Sequence, residues 1–309
     1  MCFLLPSVSF ASTINLQQAS AIVGLLQAFN VDQTILVQIE DILGFPSTTS
    51  STPPVSSPPA APHVSTVGSP YTSSSMGFDI SYNTTVFPNA SFGFAVAGVT
   101  GGKAFVHNTR VVSQYNWGKF GAFTRPTLYM NLNAPYGTTV TGHISTPRTC
   151  PADALNTPSS TATSSEPTAC DGYNYGYNAA KDSYAYAISE GVSSPFWWLD
   201  IEEANSWSAD PTVNDATIQG AIDYLNTQNI RAGIYSVPFM WQDIAGTYTP
   251  TQTLGGFATP TPTWFPIGIT TQVGAINTCS TISSFIPGSP VWIVQYEANS
   301  TAVDQNIAC

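Results

Sequence analysis

Between residues 77 and 309, short apolar runs alternate with helical patterns, and this alternation narrows the fold more than any other feature of the chain. "GFDIS" (77–81), "FGFAVAGV" (92–99), "PTLYMNL" (126–132) and "FWWLDIE" (196–202) have the length and apolar density of buried strands. "RAGIYSV" (231–237), "TWFPIGI" (263–269) and "VWIVQY" (291–296) continue the series. Between them, "HNTRVVSQYNWGKF", "GYNAAKDSYAYAISEG" and "PTVNDATIQGAIDYLNTQ" are helical in pattern, the last with Pro211 in a first-turn position. Strands alternating with helices predict a parallel sheet. The stretch is close to the ~250 residues of a (β/α) barrel, which favours a closed barrel over an open doubly wound sheet. No GxGxxG or GxxxxGK[ST] loop is present to cradle a phosphate. The expected fold class is therefore α/β, a closed TIM-type (β/α) barrel over residues 76–309.

The chain ahead of the barrel has a different character. Residues 1–11, "MCFLLPSVSFA", are apolar and lead into a small-x-small pattern, which reads as the remnant of a signal peptide lacking its basic end. Residues 12–45 carry two apolar stripes at helical spacing, with Asp32 placed to cap the second, and predict a helical hairpin. Such a hairpin serves either as a packing element or as a module that binds wall or a protein partner. Residues 46–75 are dominated by Pro, Ser and Thr and form a disordered, semi-extended linker.

Charge excludes several partners. The chain has 18 acidic and 7 basic residues, a formal charge of −11. It lacks the basic footprint that phosphate backbones require, so no nucleic acid is expected. Nor does it suit an anionic membrane surface, and no stretch approaches the ~20 apolar residues of a spanning helix. Scarce Lys and Glu beside abundant Gly, Pro, Ser, Thr and Asn suit a protein that is secreted or held at the cell surface. Cys2 would leave with the leader, and Cys150, Cys170, Cys279 and Cys309 remain, an even number that fits two disulfides. The pairing that is local in sequence, Cys150–Cys170 and Cys279–Cys309, is expected. It would staple the Thr-, Ser- and Pro-rich segment 137–171 as a decorated loop. A zinc site is disfavoured, because no CxxC pair is present and His63, His107 and His143 fall in no ligand pattern.

The chemistry concentrates in "FWWLDIEEANSW" (196–207). In a strand, residues i and i+2 share a face, so Asp200 and Glu202 point one way while Ile201 and Glu203 point the other. Two acids side by side at the end of a buried strand are costly without a purpose. Parallel barrels place reactive groups at the C-terminal strand ends. Asp79 holds the corresponding late position of "GFDIS", and Asp304 follows the last run. Four carboxyls from three strand ends would converge on one mouth. Convergent carboxyls raise one another's pKa, and one still protonated near neutral pH can protonate a glycosidic oxygen. A hard-cation site of oxygen ligands is the rival for the cluster, although no calcium-type loop accompanies it. Glu203 is expected to be solvated or salt-bridged. Among the aromatic residues near strand ends (Tyr129, Trp207, Tyr235, Trp264 and Tyr296), Tyr235 and Trp264 stand out as sugar-stacking candidates.

The same motifs, "GFDIS", "WLDIE", "AGIYS", "VWIVQY" and "VDQN", resemble in order those of glycoside hydrolase family 25, the N-acetylmuramidase type of lysozyme. "TGGKAF", "PTLYMNLNAP", "YNYGYNAAKDSYAYA", "GIYSVPFMW" and "DQNIAC" are similar, more closely, to secreted bacterial proteins described as family-25-like. The resemblance implies an irregular TIM-type barrel, five β/α units followed by three strands, with the site at the C-terminal face. It implies hydrolysis of the β-1,4 bond between N-acetylmuramic acid and N-acetylglucosamine in peptidoglycan or a related amino-sugar polymer, with no metal or organic cofactor. By motif, Glu202 would be the general acid and Asp200 its partner, either stabilising the substrate's acetamido group as internal nucleophile or assisting water. Asp79 and Asp304 would hold the electrostatics of the site, and Tyr235, Trp264, Tyr129 and Asn131 would contact substrate. Family members carry a Tyr-His pair on the third strand, where this chain has Asn131 and Asn133, which bears on the substrate. The alternative on the same fold is a catalytically silent barrel that binds glycan or serves as a surface structural protein.

Overall fold

The seven apolar runs all form strands, and an eighth, short one closes the ring that they make. The computed structural model describes residues 68–122, 125–135, 143–150, 167–298 and 303–309. The leader, the helical hairpin and most of the linker lie outside the described residues. Strands β1 (Met76–Ile80), β2 (Phe94–Gly98), β3 (Thr127–Asn131), β4 (Phe196–Asp200) and β5 (Arg231–Tyr235) run parallel and adjacent in chain order. A small antiparallel hairpin follows, β6 (Gln252–Leu254) with β7 (Phe257–Thr259), outside the ring. Next come β8 (Thr263–Ile269), β9 (Val291–Glu297) and β10 (Gln305–Ala308), and the barrel closes in the order β1-β10-β9-β8-β5-β4-β3-β2.

The sheet is mixed rather than wholly parallel. β10 pairs antiparallel with both β9 and β1, because only the short stretch after Glu297 separates it from β9, too little for a crossover. The helices are α1 (Val111–Gly121), α2 (Ala169–Ser189), α3 (Pro211–Thr227), α4 (Pro238–Ala245) and α5 (Gln272–Cys279). No helix separates β1 from β2, so the first crossover is a loop. α2 begins well before the Gly176 that opens its helical pattern. Thr168 and Asp171 form a capping box at its start, each side chain taking a backbone N–H of the other. Cys170 thus sits in the first turn, bonded to Cys150, and the second disulfide joins Cys279, at the end of α5, to Cys309.

Alternation along the strands divides the core into two layers. On β4, Trp197 and Leu199, and just past it Ile201, face outward among Ile218, Ile222 and Leu225 of α3. Trp198 faces inward, among Tyr129, Phe94, Phe196, Trp264 and Trp292. Interior glycines make room for these rings. A Cβ on Gly77 would lie 2.6 Å from Phe94, and one on Gly233 2.4 Å from Trp198.

The packed region also reaches back beyond residue 76. Tyr71, assigned to the linker by composition, is buried at the lower end of the barrel, its ring 4.6 Å from that of Phe94. Its hydroxyl accepts from Trp198 Nε1 (2.9 Å) and hydrogen-bonds Thr127 Oγ1 (2.7 Å). A single tyrosine amid Ser, Thr and Pro does not alter a compositional average, yet it has enough apolar surface to anchor the chain.

Outside the barrel, α2 and α3 approach closely through small residues. A Cβ on Gly176 would sit 1.8 Å from the Thr217 carbonyl oxygen, and one on Gly220 2.1 Å from that of Tyr173. Backbone cannot yield as a side chain can. Gly176→Ala should therefore force the helices apart and cost about 1–3 kcal/mol. Denaturant unfolding would register this as a lower midpoint, and an unchanged midpoint would contradict the packing.

Candidate active site

Strand register brings the acidic residues together. Asp200 ends β4 and pairs laterally with Asn131 at the end of β3 and with Tyr235 at the end of β5. Glu202 lies just past the strand end, on the same side as Asp200, and its backbone carbonyl accepts Trp207 Nε1 at 2.8 Å. Asp79 comes from β1, and its N–H donates to the carbonyl of Asp304, just ahead of β10 (3.4 Å). Asp79, Asp200, Glu202 and Asp304 all line one open cavity of ≈ 270 Å³. Tyr129, Asn131, Tyr235, Trp264 and Gln295 line it as well. Glu203 is exposed and faces the Asp243 carboxyl, so its neighbour is another acid and not a salt-bridge partner.

Burial and mutual charge shift these acids in one direction. Asp79 is pushed up to about 7, first by burial and then by Asp304, against the pull of its amide partners. Asp200 is raised well above the carboxylate range by burial, by the charge of Glu202 and a hydrogen bond with it, and by Asp79. Glu202 is raised by burial, and the hydrogen bond from Asp200 lowers it while Asp304 raises it. Asp304 is raised by burial and by Glu297. Burial and mutual charge thus shift Asp200 and Glu202 together toward their protonated forms.

Amides support the carboxyls. Asn131 Nδ2 donates to Asp200 Oδ2. Asn306 Nδ2 (2.7 Å) and Gln295 Nε2 (3.1 Å) both donate to Asp79 Oδ1. Gln295 Oε1 accepts the Tyr235 hydroxyl at 2.9 Å, and Asn306 Oδ1 accepts Trp264 Nε1 at 2.9 Å. Gln295 and Asn306 face each other across β9 and β10. Neither stands out in the sequence, since neutral amides carry no charge signal. The one available clue is that each holds an inward position, Asn306 on β10 beside β1 and Gln295 on β9, the next strand. Asn133, in contrast to Asn131, is not in the cavity. Its amide bonds the Ala134 carbonyl, the Tyr175 hydroxyl and the Ala104 N–H, a structural role in the loop after β3.

The aromatic residues divide. Trp264 is 3% exposed and Tyr129 8% exposed, so both form the floor of the cavity. Tyr235 is partly exposed, with its ring edge-on to Trp264 at 4.7 Å. Tyr296 bonds Gln305 and packs on the outer side of the barrel, and Trp207 packs against the outer core. Among the described residues, no group of three or more His, Cys, Asp or Glu side chains has the geometry to hold a metal ion.

The model of a family described as lysozyme-like protein 1 matches residues 166–260, a segment that includes Asp200, Glu202 and Tyr235. "Lysozyme-like protein 5" of Caenorhabditis elegans is 36% identical over 69 residues, 22% of this chain. The matched stretch spans about a third (32%) of that relative. Among solved structures, the catalytic domain of an endolysin from a Listeria monocytogenes bacteriophage aligns with 17% identity and a TM-score of 0.42, over 76% of this chain and 92% of its own. A glycosyl hydrolase 25 of Streptococcus pneumoniae aligns with 13% identity and a TM-score of 0.41, over 76% and 86%. The spore cortex lytic enzyme SleM of Clostridium perfringens aligns with 11% identity and a TM-score of 0.46, over 76% and 67%. At such identities, the chemistry has to be argued from this chain's own residues. The matching curated relative is a nematode protein, so similarity is not confined to the bacterial proteins of the motif comparison.

The raised carboxyls have a consequence for stability. In an unfolded chain an Asp titrates near ~4, whereas folded Asp79 titrates at about 7. Between those values the folded protein binds more protons than the unfolded chain, so stability falls as pH rises through that window and then levels off. Calorimetry of Asp79→Asn should show a smaller drop in melting temperature from about pH 5 to about pH 8 than wild type, and a higher melting temperature at the upper pH. A drop as steep as that of wild type would mean that Asp79 is not held protonated.

Proposed function

We propose that the protein is an exported glycoside hydrolase that cleaves β-1,4 bonds in peptidoglycan or a related amino-sugar polymer. The observation that carries this reading is the Asp200–Glu202 pair: two carboxyls at one strand end, lining one open cavity at the barrel mouth and both raised by burial toward the protonated form. The lysozyme-like match over residues 166–260 supports it, because that stretch includes both acids. Two disulfides and the sparse Lys and Glu support export. Among the described residues, no helix is long and apolar enough to cross a membrane.

The placement of the two acids constrains the mechanism. Both lie on one side of a single strand end and line the same cavity, so Asp200 and Glu202 work from one side of the sugar. The nucleophile that fits is the substrate's own acetamido group. As the glycosidic bond breaks, Glu202 gives its proton to the leaving oxygen, and the acetamido oxygen closes on the anomeric carbon. Asp200, now ionised, accepts the acetamido N–H and stabilises the cyclic cation. Water then opens this ring, and its proton returns to Glu202, which restores the pair. Asp79, pushed up to about 7, limits the negative charge at the mouth, and Asp304 is raised in the same direction. Tyr235 is the aromatic residue placed to meet a sugar.

Release of reducing ends from purified peptidoglycan tests this reading. Glu202→Gln and Asp200→Asn should each lower the rate by about 10²–10⁴-fold. Equal activity in wild type and both variants would overturn the site, and saturable glycan binding without turnover in wild type would show a silent glycan-binding barrel instead.

A further inference from the structure

Asn131 stands at the end of β3 against Asp200, and its carboxamide has two possible orientations. One presents an N–H donor to the carboxyl and the other presents a second oxygen. The choice matters, because only the first leaves Asp200 with one oxygen occupied and one free. The network around Thr100, in the segment just after β2, makes that choice. Thr100 is 1% exposed. Its Oγ1 accepts the backbone N–H of Asn131 at 2.9 Å, a contact in which the amide can only donate. The hydroxyl proton is therefore directed elsewhere, and the acceptor in reach is Asn131 Oδ1 at 2.7 Å. With Oδ1 engaged, Nδ2 is left to donate to Asp200 Oδ2. Asp200 Oδ1, also buried, receives no hydrogen bond from a protein donor. It remains the oxygen of Asp200 that Asn131 leaves open.

We propose that Thr100 is a positioning residue of this site: by locking the Asn131 carboxamide with its NH2 toward Asp200 Oδ2, it fixes which oxygen of Asp200 is held by the protein and which is left open. The chain Thr100 → Asn131 → Asp200 then has a single direction, from a buried hydroxyl to a buried carboxyl. No residue along it can reverse without leaving a buried donor or acceptor unpaired, at a cost comparable to that of a lost hydrogen bond. The inference rests on the hydrolase reading only for its use. Its geometry stands without it.

Other groups that face the pair act on it in every variant alike. They are Asp79 from β1, Tyr129 from β3, Tyr235 from β5 and Asp304 ahead of β10. The two tyrosine hydroxyls are held well above their usual range by burial and the surrounding carboxyls, so they stay neutral while the pair titrates.

The test is a carbon-13 NMR titration of the Asp and Glu carboxyls in the full chain, with peptidoglycan hydrolysis followed in parallel. Thr100→Val keeps the shape and removes the hydroxyl, freeing the amide to turn. The Asp200–Glu202 titration should move up by roughly one pH unit, as expected when a carboxylate loses an N–H donor. Thr100→Ser keeps the hydroxyl and should titrate as wild type. Asn131→Ala removes the donor itself and should reproduce the Thr100→Val shift, which also covers the case in which Thr100→Val does not fold. A role in packing alone would lower the melting temperature without moving the titration. An unmoved pair in Thr100→Val, or a pair that moves equally in Thr100→Ser, would overturn the proposal. If the shifts occur as expected while wild type releases no reducing ends, the positioning role stands and the hydrolase reading falls.

Discussion

Like charges in a confined space are the constraint around which this barrel mouth is built. Asp79, Asp200, Glu202 and Asp304 share one cavity, and burial together with mutual repulsion makes full ionisation of all four unfavourable. The protein relieves this in two ways. It retains protons where carboxyls meet, and it surrounds the deepest acids with neutral donors: Asn131 for Asp200, and Gln295 with Asn306 for Asp79. A Lys or Arg in their place would have paired the acids, depressed their pKa values and removed the proton that the proposed chemistry needs.

The fold supplies the rigidity that this arrangement requires. β4 carries Trp198 two residues before Asp200, and Trp198 is held by aromatic neighbours and by the hydroxyl of Tyr71 below. Tyr235 reaches Gln295, Trp264 reaches Asn306, and both amides meet Asp79, so strands β5, β8, β9, β10 and β1 are linked through side chains as well as backbone. An aromatic floor under a polar rim excludes water from beneath the acids, which is what keeps their pKa values high. The site is costly in folding free energy, as functional sites often are.

Much of this was legible in the residues, for reasons that can be named. Asp200 and Glu202 show themselves because charge is scarce in this chain and because i, i+2 spacing on an apolar strand leaves one interpretation. Asp79 follows from its late position in β1. Gln295 and Asn306 escape notice, since an amide in a strand is not distinctive until its neighbours across the sheet are known. β10 is only four residues long, and its pairing depends on β1, far away in sequence. The same non-locality bears on Trp264: a tryptophan near a strand end suits a sugar platform, and only the fold shows that the hydrogen bond to Asn306 sets it in the floor of the cavity. Tyr71 is hidden by its surroundings, because one anchoring ring cannot be seen in the average composition of a linker.

The central claim is that the acids of this mouth keep at least one proton at neutral pH. Infrared spectroscopy of the full chain reads this directly through the carbonyl stretch of protonated carboxyls, which ionised ones lack. The account predicts that this band persists at neutral pH in wild type and weakens in Asp200→Asn. Its absence at neutral pH in the folded wild-type protein would contradict the account.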